Sequence, residues 1–330
     1  MNFKHLIFIL YMFGSISHAQ DFEENTDITD QLNEALRKNK TVIIGAGNYK
    51  IDAVKSIKVQ NNSIIKMSKD TRLKVIPNRN PKYSVFNIKN VKNVEISGGQ
   101  IIGDKYTHLN NDGEWGMGFD IRDSQNISIM DMSITKMWGD GIYLGTNGEN
   151  SNYNINFSNL KIEDNRRQGI SIISVNRLKA NNIIISKTKG KSPMNGIDIE
   201  PHNKKNILQN IEINNLRSVN NFAAGVQISL KDYNNSPYPI SINISNFSDI
   251  GSRFGLKING ITTNVKGKIN IDTVNLSNNI TSNYCFQDWS NNNIEVSIKN
   301  LKNDKKYIEN QHQWCTPYIQ NKFLRISKTK

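Results

Sequence analysis

Six glycine-headed segments in the middle of the chain predict an all-β protein: a single-stranded right-handed parallel β-helix with an N-terminal capping helix. Three observations carry this expectation. Gly118-Phe-Asp-Ile-Arg, Gly141-Ile-Tyr-Leu-Gly, Gly169-Ile-Ser-Ile-Ile, Gly196-Ile-Asp-Ile-Glu, Gly225-Val-Gln-Ile-Ser and Gly255-Leu-Lys-Ile-Asn share one pattern. Their glycines are spaced by 23, 28, 27, 29 and 30 residues, a period that signals stacked repeats. After each glycine, apolar and polar residues alternate, as in a strand with one buried face.

Aligned, the segments give two inward columns, Phe119, Ile142, Ile170, Ile197, Val226, Leu256 and Ile121, Leu144, Ile172, Ile199, Ile228, Ile258, apolar throughout. The outward column between them reads Asp120, Tyr143, Ser171, Asp198, Gln227, Lys257, and the next reads Arg122, Gly145, Ile173, Glu200, Ser229, Asn259. Stacked strands lie about 4.8 Å apart, so these columns form a continuous face on which function is expected. Between the glycine segments runs a second phrase: Val94-Glu-Ile, Asn126-Ile-Ser-Ile, Asn154-Ile-Asn-Phe, Asn182-Ile-Ile-Ile, Asn210-Ile-Glu-Ile and Ser241-Ile-Asn-Ile. Each coil therefore carries at least two strands, and asparagine suits the turns because it tolerates the left-handed backbone region.

Residues 1–19 read as a secretory signal peptide, with Lys4 as the positive start, Leu6 to Phe13 as the apolar run and cleavage after Ala19. That run is too short to span a bilayer, so a secreted or periplasmic location without a membrane span is expected. Residues 20–330 are expected to form one β-helix domain, capped at about 28–52 and again at about 280–330. The N-terminal cap is an amphipathic helix over Asp30 to Lys38 with Leu32, Ala35 and Leu36 as its stripe, covering the first bare cross-section of the stack. Cys285 and Cys315 predict one disulfide in an oxidising compartment, pinning the C-terminal segment to the last coils. Two cysteines and five scattered histidines suggest no metal site, and no cofactor is expected. The net charge of +13 is dispersed among asparagines rather than gathered into a stripe. It points away from nucleic acid and toward an acidic glycan, or toward a merely soluble basic surface. Nothing in the sequence speaks to oligomeric state.

The turn Gly45-Ala-Gly-Asn-Tyr-Lys-Ile after the helix resembles the opening of pectate-lyase-superfamily β-helix proteins. Gly98-Gly-Gln-Ile-Ile-Gly-Asp, Gly113-Glu-Trp-Gly-Met-Gly, Trp138-Gly-Asp-Gly-Ile-Tyr-Leu-Gly, Asn165-Arg-Arg-Gln-Gly-Ile-Ser-Ile and Gly196-Ile-Asp-Ile-Glu-Pro look like phrases of its bacterial and phage-tail members. The resemblance covers roughly residues 28 to 260. It implies the fold and an activity on polysaccharides, by hydrolysis, lysis or epimerisation. The polygalacturonase pattern of Asn-Thr-Asp, Asp-Asp, Gly-His-Gly and Arg-Ile-Lys is absent, and Asp198-Ile-Glu-Pro-His only loosely echoes the epimerase Asp-Pro-His motif.

Four carboxylates converge on adjacent coils, Asp120, Asp140, Asp198 and Glu200, joined by Glu114 if the Gly103 to Gly116 loop folds back over the face. Glycosidic cleavage needs two carboxyl groups, and Asp140, Asp198 and Glu200 are the expected catalytic set. Asp140 and Asp198 stand two coils, roughly 10 Å, apart. Asp198 and Glu200 share a strand, and like charges so near raise one pKa, as a general acid requires. Asp120 is set aside because Arg122 offers it an ion pair. In the competing reading Asp140 caps a turn, and Asp198 and Glu200 pair with Arg166 and Arg167 as a solvated ladder. Expected substrate contacts are Arg166 and Arg167 as carboxylate forks, unless spent on internal pairs. Trp115 and Trp138, alike in position before their glycines, are expected to stack as neighbours beside the groove or to cover turns. Tyr143 is expected as an acid–base group or subsite wall, and His202 as a weaker contact. A secreted glycan-cleaving enzyme, hydrolase ahead of lyase or epimerase, and a non-catalytic glycan-binding surface protein are the two readings.

Overall fold

The computed structural model describes residues 20–148, 150–261, 264–289, 293–303, 315 and 324–328. The expected signal peptide lies outside these residues, as do 304–314 and 316–323 of the expected C-terminal cap.

Among the described residues all strand pairing is parallel, in a fourteen-stranded and a nine-stranded sheet. The glycine segments are six consecutive strands of the smaller sheet, here called the face sheet, in the predicted register. Phe119 pairs with Ile142, Ile142 with Ile170, Ile170 with Ile197, Ile197 with Val226 and Val226 with Leu256. Crossovers between parallel strands take the right-handed sense that strand twist imposes, and the chain is a right-handed parallel β-helix. Both inward columns are buried in one apolar cluster that runs from Ile28 to Leu301. Phe86 stacks on Phe119 within it, at a centroid distance of 4.8 Å.

The glycines recur because the coils touch there. A Cβ at Gly169 would sit 2.4 Å from the Gly196 carbonyl oxygen, and one at Gly196 would sit 2.5 Å from that of Gly225. The backbone at these two positions is not left-handed. Close approach, rather than conformational freedom, excludes a side chain.

The larger sheet bends at asparagines in the left-handed region, a conformation that other L-residues adopt at a cost. At one corner Asn126 and Asn154, with φ of 54° and 55°, each donate from the side-chain amide to the asparagine of the preceding coil, Asn93 and Asn126. At a second corner Asn159, Asn182, Asn215 and Asn246 climb from Asp131 in the same way. This corrects the alignment of the second phrase. Asn182 belongs to the second corner, and the residue that stacks with Asn154 and Asn210 is Arg177. Two corners of similar composition in each coil made the slip possible.

The capping helix spans Thr29–Lys38 and buries Leu32, Ala35 and Leu36 as expected. Asn33 fixes it to the first coil, donating to the Ser56 carbonyl at 2.9 Å and accepting from the Lys58 amide at 2.7 Å. At the other end the expected Cys285–Cys315 disulfide is present.

One inward column breaks the apolar rule. Ile134, Ile162 and Ile185 are followed by Ser218 and Asp249, then Leu276. Asp249 is fully buried and accepts hydrogen bonds from Ser252 Oγ and Asn279 Nδ2. Burial pushes its pKa up to about 6.

Two outcomes follow. Gly169→Val should lower stability by about 1–3 kcal/mol through overpacking, whereas Gly148→Ala, where a Cβ meets nothing within 4 Å, should stay within ~0.5 kcal/mol of wild type. Equal denaturation midpoints for the two variants would refute the close-stacking account. For Asp249, the folded state binds the proton more tightly than the unfolded chain does. Its stabilising contribution is therefore complete below the unfolded pKa near 3.8 and is lost as pH rises through about 6. Asp249→Asn should gain on wild type by roughly 2–3 kcal/mol between pH 4 and pH 7, read from urea melts across that range.

Candidate functional site

In the larger sheet, buried and exposed residues alternate, as along Val175–Ser186. In the face sheet they do not: every residue of Ile142–Gly145, Ile170–Ile172, Ile197–Ile199 and Ala224–Ser229 is buried. The outward column, expected to be an open face, is enclosed, with Asp198 1 % exposed and Tyr143 7 %. Side chains one coil apart close over one another. The Arg122 guanidinium lies 4.6 Å from the Tyr143 ring centre, and Met117, Tyr143 and Ile173 form a small apolar cluster outside the coil.

Asp140 sits just before its strand and is fully buried. Arg167 Nη1 donates to both of its carboxylate oxygens, at 3.0 and 3.2 Å, and Ser171 Oγ donates at 2.7 Å. Burial raises the Asp140 pKa, and the Arg167 charge opposes the rise. Glu114 comes within 3.9 Å of Arg167 Nε, so the Gly103 to Gly116 loop does fold back toward the site. Asp140 is thus neither a turn cap nor a solvent-facing acid. It fixes Arg167, and Arg167 is committed to internal ion pairs.

Arg166 is a second correction. Its guanidinium donates to the carbonyls of Gly113, Trp138 and Asn111 at 2.8, 3.3 and 3.3 Å, and stacks 3.6 Å from the Trp138 ring centre. It holds the loop and is not a free carboxylate fork. The two tryptophans do not meet. Trp138 is buried and stacks on His108 at 4.1 Å, whereas Trp115 is 43 % exposed and lines a concavity of about 210 Å³ with Lys82, Lys89 and Asp120. The loop's anchor escaped sequence reasoning: Tyr83 donates to Asp104, and His108 Nδ1 lies 2.8 Å from the same carboxylate. The four-residue spacing of Asp104 and His108 was the only available signal. Asp120 behaves as expected, paired with Arg122 at 2.6 Å and Lys89 at 2.8 Å.

Asp198 and Glu200 lie on the same side of one strand, because Glu200 N continues the pairing by donating to the Ile172 carbonyl at 3.0 Å. The immediate partners of Asp198 are amides rather than arginines. Gln168 Nε2 donates to Asp198 Oδ2, and Gln227 Nε2 donates to Oδ1 at 3.1 Å. The Asn195 backbone N–H fixes the orientation of Gln168 by donating to its Oε1 at 2.8 Å. Gln168 holds the position before its repeat glycine that Asp140 holds one coil earlier, and it was missed because a neutral amide carries no charge to mark it as a site residue. Burial, and then the charge of Glu200, push the Asp198 pKa up to about 7. Glu200 is half-buried, and His202 is accessible on the following turn, where its backbone N–H is tied to Asn206. Lys257 stands two coils beyond Asp198 in the same column, and no carboxylate pairs with it among the described residues.

No family model matches the chain. It is 30% identical over 289 residues to the uncharacterized protein YclG of Bacillus subtilis (strain 168), covering 77% of this chain and 48% of that one. The chain therefore spans about half the length of this curated relative. Among solved structures, the polygalacturonase from Erwinia carotovora ssp. carotovora superposes with a TM-score of 0.62 at 14% identity, over 96% of this chain and 99% of that one. The A-module of a mannuronan C-5 epimerase from Azotobacter vinelandii superposes with a TM-score of 0.58 at 12% identity, over 84% of each chain. Parallel pairing among the described residues, the stacked glycine strands and these superpositions agree: the chain has the right-handed parallel β-helix fold.

Proposed function

We propose that this chain is an exported enzyme that cleaves an acidic polysaccharide, a glycoside hydrolase, with Asp198 and Glu200 as its acid–base pair. The observation that carries the reading is this pair of like-charged side chains, one enclosed between two neutral amides and the other half-open to solvent. Such a pair holds one proton near neutral pH. Glu200 is the member that reaches a glycan. The pair's proton passes through Glu200 to the glycosidic oxygen as the C–O bond breaks and the alcohol leaves. In a second step the carboxylate left behind takes a proton from the water that attacks the oxocarbenium-like carbon, which restores the one-proton pair. Asp140 positions Arg167 beside the pair. Lys257 supplies the cation that a uronate carboxylate needs, with His202, Glu114 and Trp115 as further sugar contacts and Tyr143 as a wall. Burial raises the Tyr143 pKa, the wrong direction for the base of a lyase. The superposable structures, a polygalacturonase and a uronan epimerase, support an acidic-glycan substrate. The disulfide fits an oxidising compartment.

The enclosure of Asp198 favours a second reading, a glycan-binding surface protein in which both carboxylates only accept hydrogen bonds. Turnover separates the two. Asp198→Asn and Glu200→Gln should each lose about 10²–10⁴-fold in rate, with melting temperatures not lowered, and Asp120→Asn should lose little. Activity that needs the shared proton should fall as pH rises past about 7. The measurement is release of reducing ends and of unsaturated products from an acidic-glycan panel. No release by wild type sinks the enzyme, and an Asp120→Asn loss matching that of Asp198→Asn at equal stability sinks the assignment.

A further inference from the structure

At the first asparagine corner, six stacked residues take a left-handed backbone: Asn62, Asn93, Asn126, Asn154, Arg177 and Asn210. Five are asparagine, the residue this conformation suits; the sixth is arginine, at φ 69°. The amide ladder goes round it, for Asn210 Nδ2 donates to Asn176 rather than to residue 177. A residue that breaks a local rule its neighbours obey, without a packing gain, is a pointer to function. Arg177 is exposed and reaches out of the ladder to Tyr153, donating from Nη1 to the phenol oxygen at 3.4 Å, with the guanidinium 6.0 Å from the ring centre. Tyr153 is itself 41 % exposed. The two edge a trough of about 380 Å³ on the larger sheet, lined also by Asn176, Lys179, Asn210 and Glu212. Among the described residues no carboxylate forms an ion pair with Arg177 or Lys179.

We infer that this trough is a second, non-catalytic saccharide site that takes a carboxylate-bearing sugar. The Arg177 fork and Lys179 hold the carboxylate, the Tyr153 ring carries the sugar face, and Asn176, Asn210 and Glu212 meet the hydroxyls. A planar fork suits a carboxylate in a way that asparagine cannot, and an exposed tyrosine offers an apolar ring with a polar tip. The site lies on the opposite sheet from Asp198 and Glu200, so it stands or falls apart from the proposed reaction. It would hold an anionic polymer on the rigid stack.

The test is calorimetric binding of two probes, hexagalacturonate and a mannuronate hexamer, with neutral cellohexaose as control. Arg177→Asn restores the corner residue of the other coils. It should melt at or above the wild-type temperature while losing at least tenfold in affinity at one site, and Tyr153→Ala should lose the same binding phase. Binding at the face sheet, where it occurs, persists in both variants. The inference is overturned if neither acidic probe binds wild type in an Arg177-dependent phase, if cellohexaose binds there equally, or if Arg177→Asn melts lower, which would make Arg177 a residue of the fold.

Discussion

Everything else in this molecule depends on how closely successive coils approach at the glycine column. From Gly118 through Gly255, a Cβ would fall 2.4–2.8 Å from a carbonyl oxygen of the next coil, well inside contact distance. That approach lets the strand after each glycine pair in strict register with its neighbours. It delivers two unbroken apolar columns to the interior, where each buried isoleucine or leucine contributes about 1.5–3 kcal/mol. It also fixes the outward side chains without freedom to slide, since a slip of one residue would turn every side chain to the wrong face.

The same rigidity explains why the face sheet is closed on both sides. Its strands are short, three or four residues in three coils, so the turns on either side stand close to the outward column. Arg166 and the Asp104 cluster then clamp the 103–116 loop against one flank. Carboxyl groups placed there leave water without entering the apolar core. Asp249 shows the contrast, being a carboxyl group inside the coil, where it can do nothing but shift its own titration and weaken the fold at neutral pH.

Period and alternation revealed the stack because they report on the repeating contact between coils. The six face strands, their register and the helix were legible for that reason, and the disulfide from the cysteine count. The corners were less so. Asn159 and Asn154 occur in one coil with the same residue type for the same backbone reason, and composition cannot tell the two corners apart. Partners of the long polar side chains were legible only within one strand, as for Asp120 and Arg122. Arg166 and Arg167 are adjacent in sequence, yet one is spent on backbone carbonyls of a loop some fifty residues earlier and the other on Asp140. Which carbonyl or carboxylate each finds depends on the path of the loop, and no period encodes that path.

The diversion of both arginines is what gives the Asp198–Glu200 pair its character. Had either guanidinium met Asp198 directly, the opposite charge would have favoured the ionised form and pulled its pKa down, by as much as ~1–3 units. Both carboxyl groups would then be charged at neutral pH, with no proton to donate. Instead Arg166 is held on three carbonyls, and Arg167 is neutralised by Asp140. The direct partners left to Asp198 are the amides of Gln168 and Gln227, which satisfy its oxygens without cancelling a charge. Burial and the Glu200 charge then dominate. The neighbouring ion pair is therefore part of the site's electrostatics although it touches neither oxygen of Asp198: the Arg167 charge still lowers the Asp198 pKa, and Asp140, by pairing with Arg167, blunts that pull so that burial and Glu200 prevail.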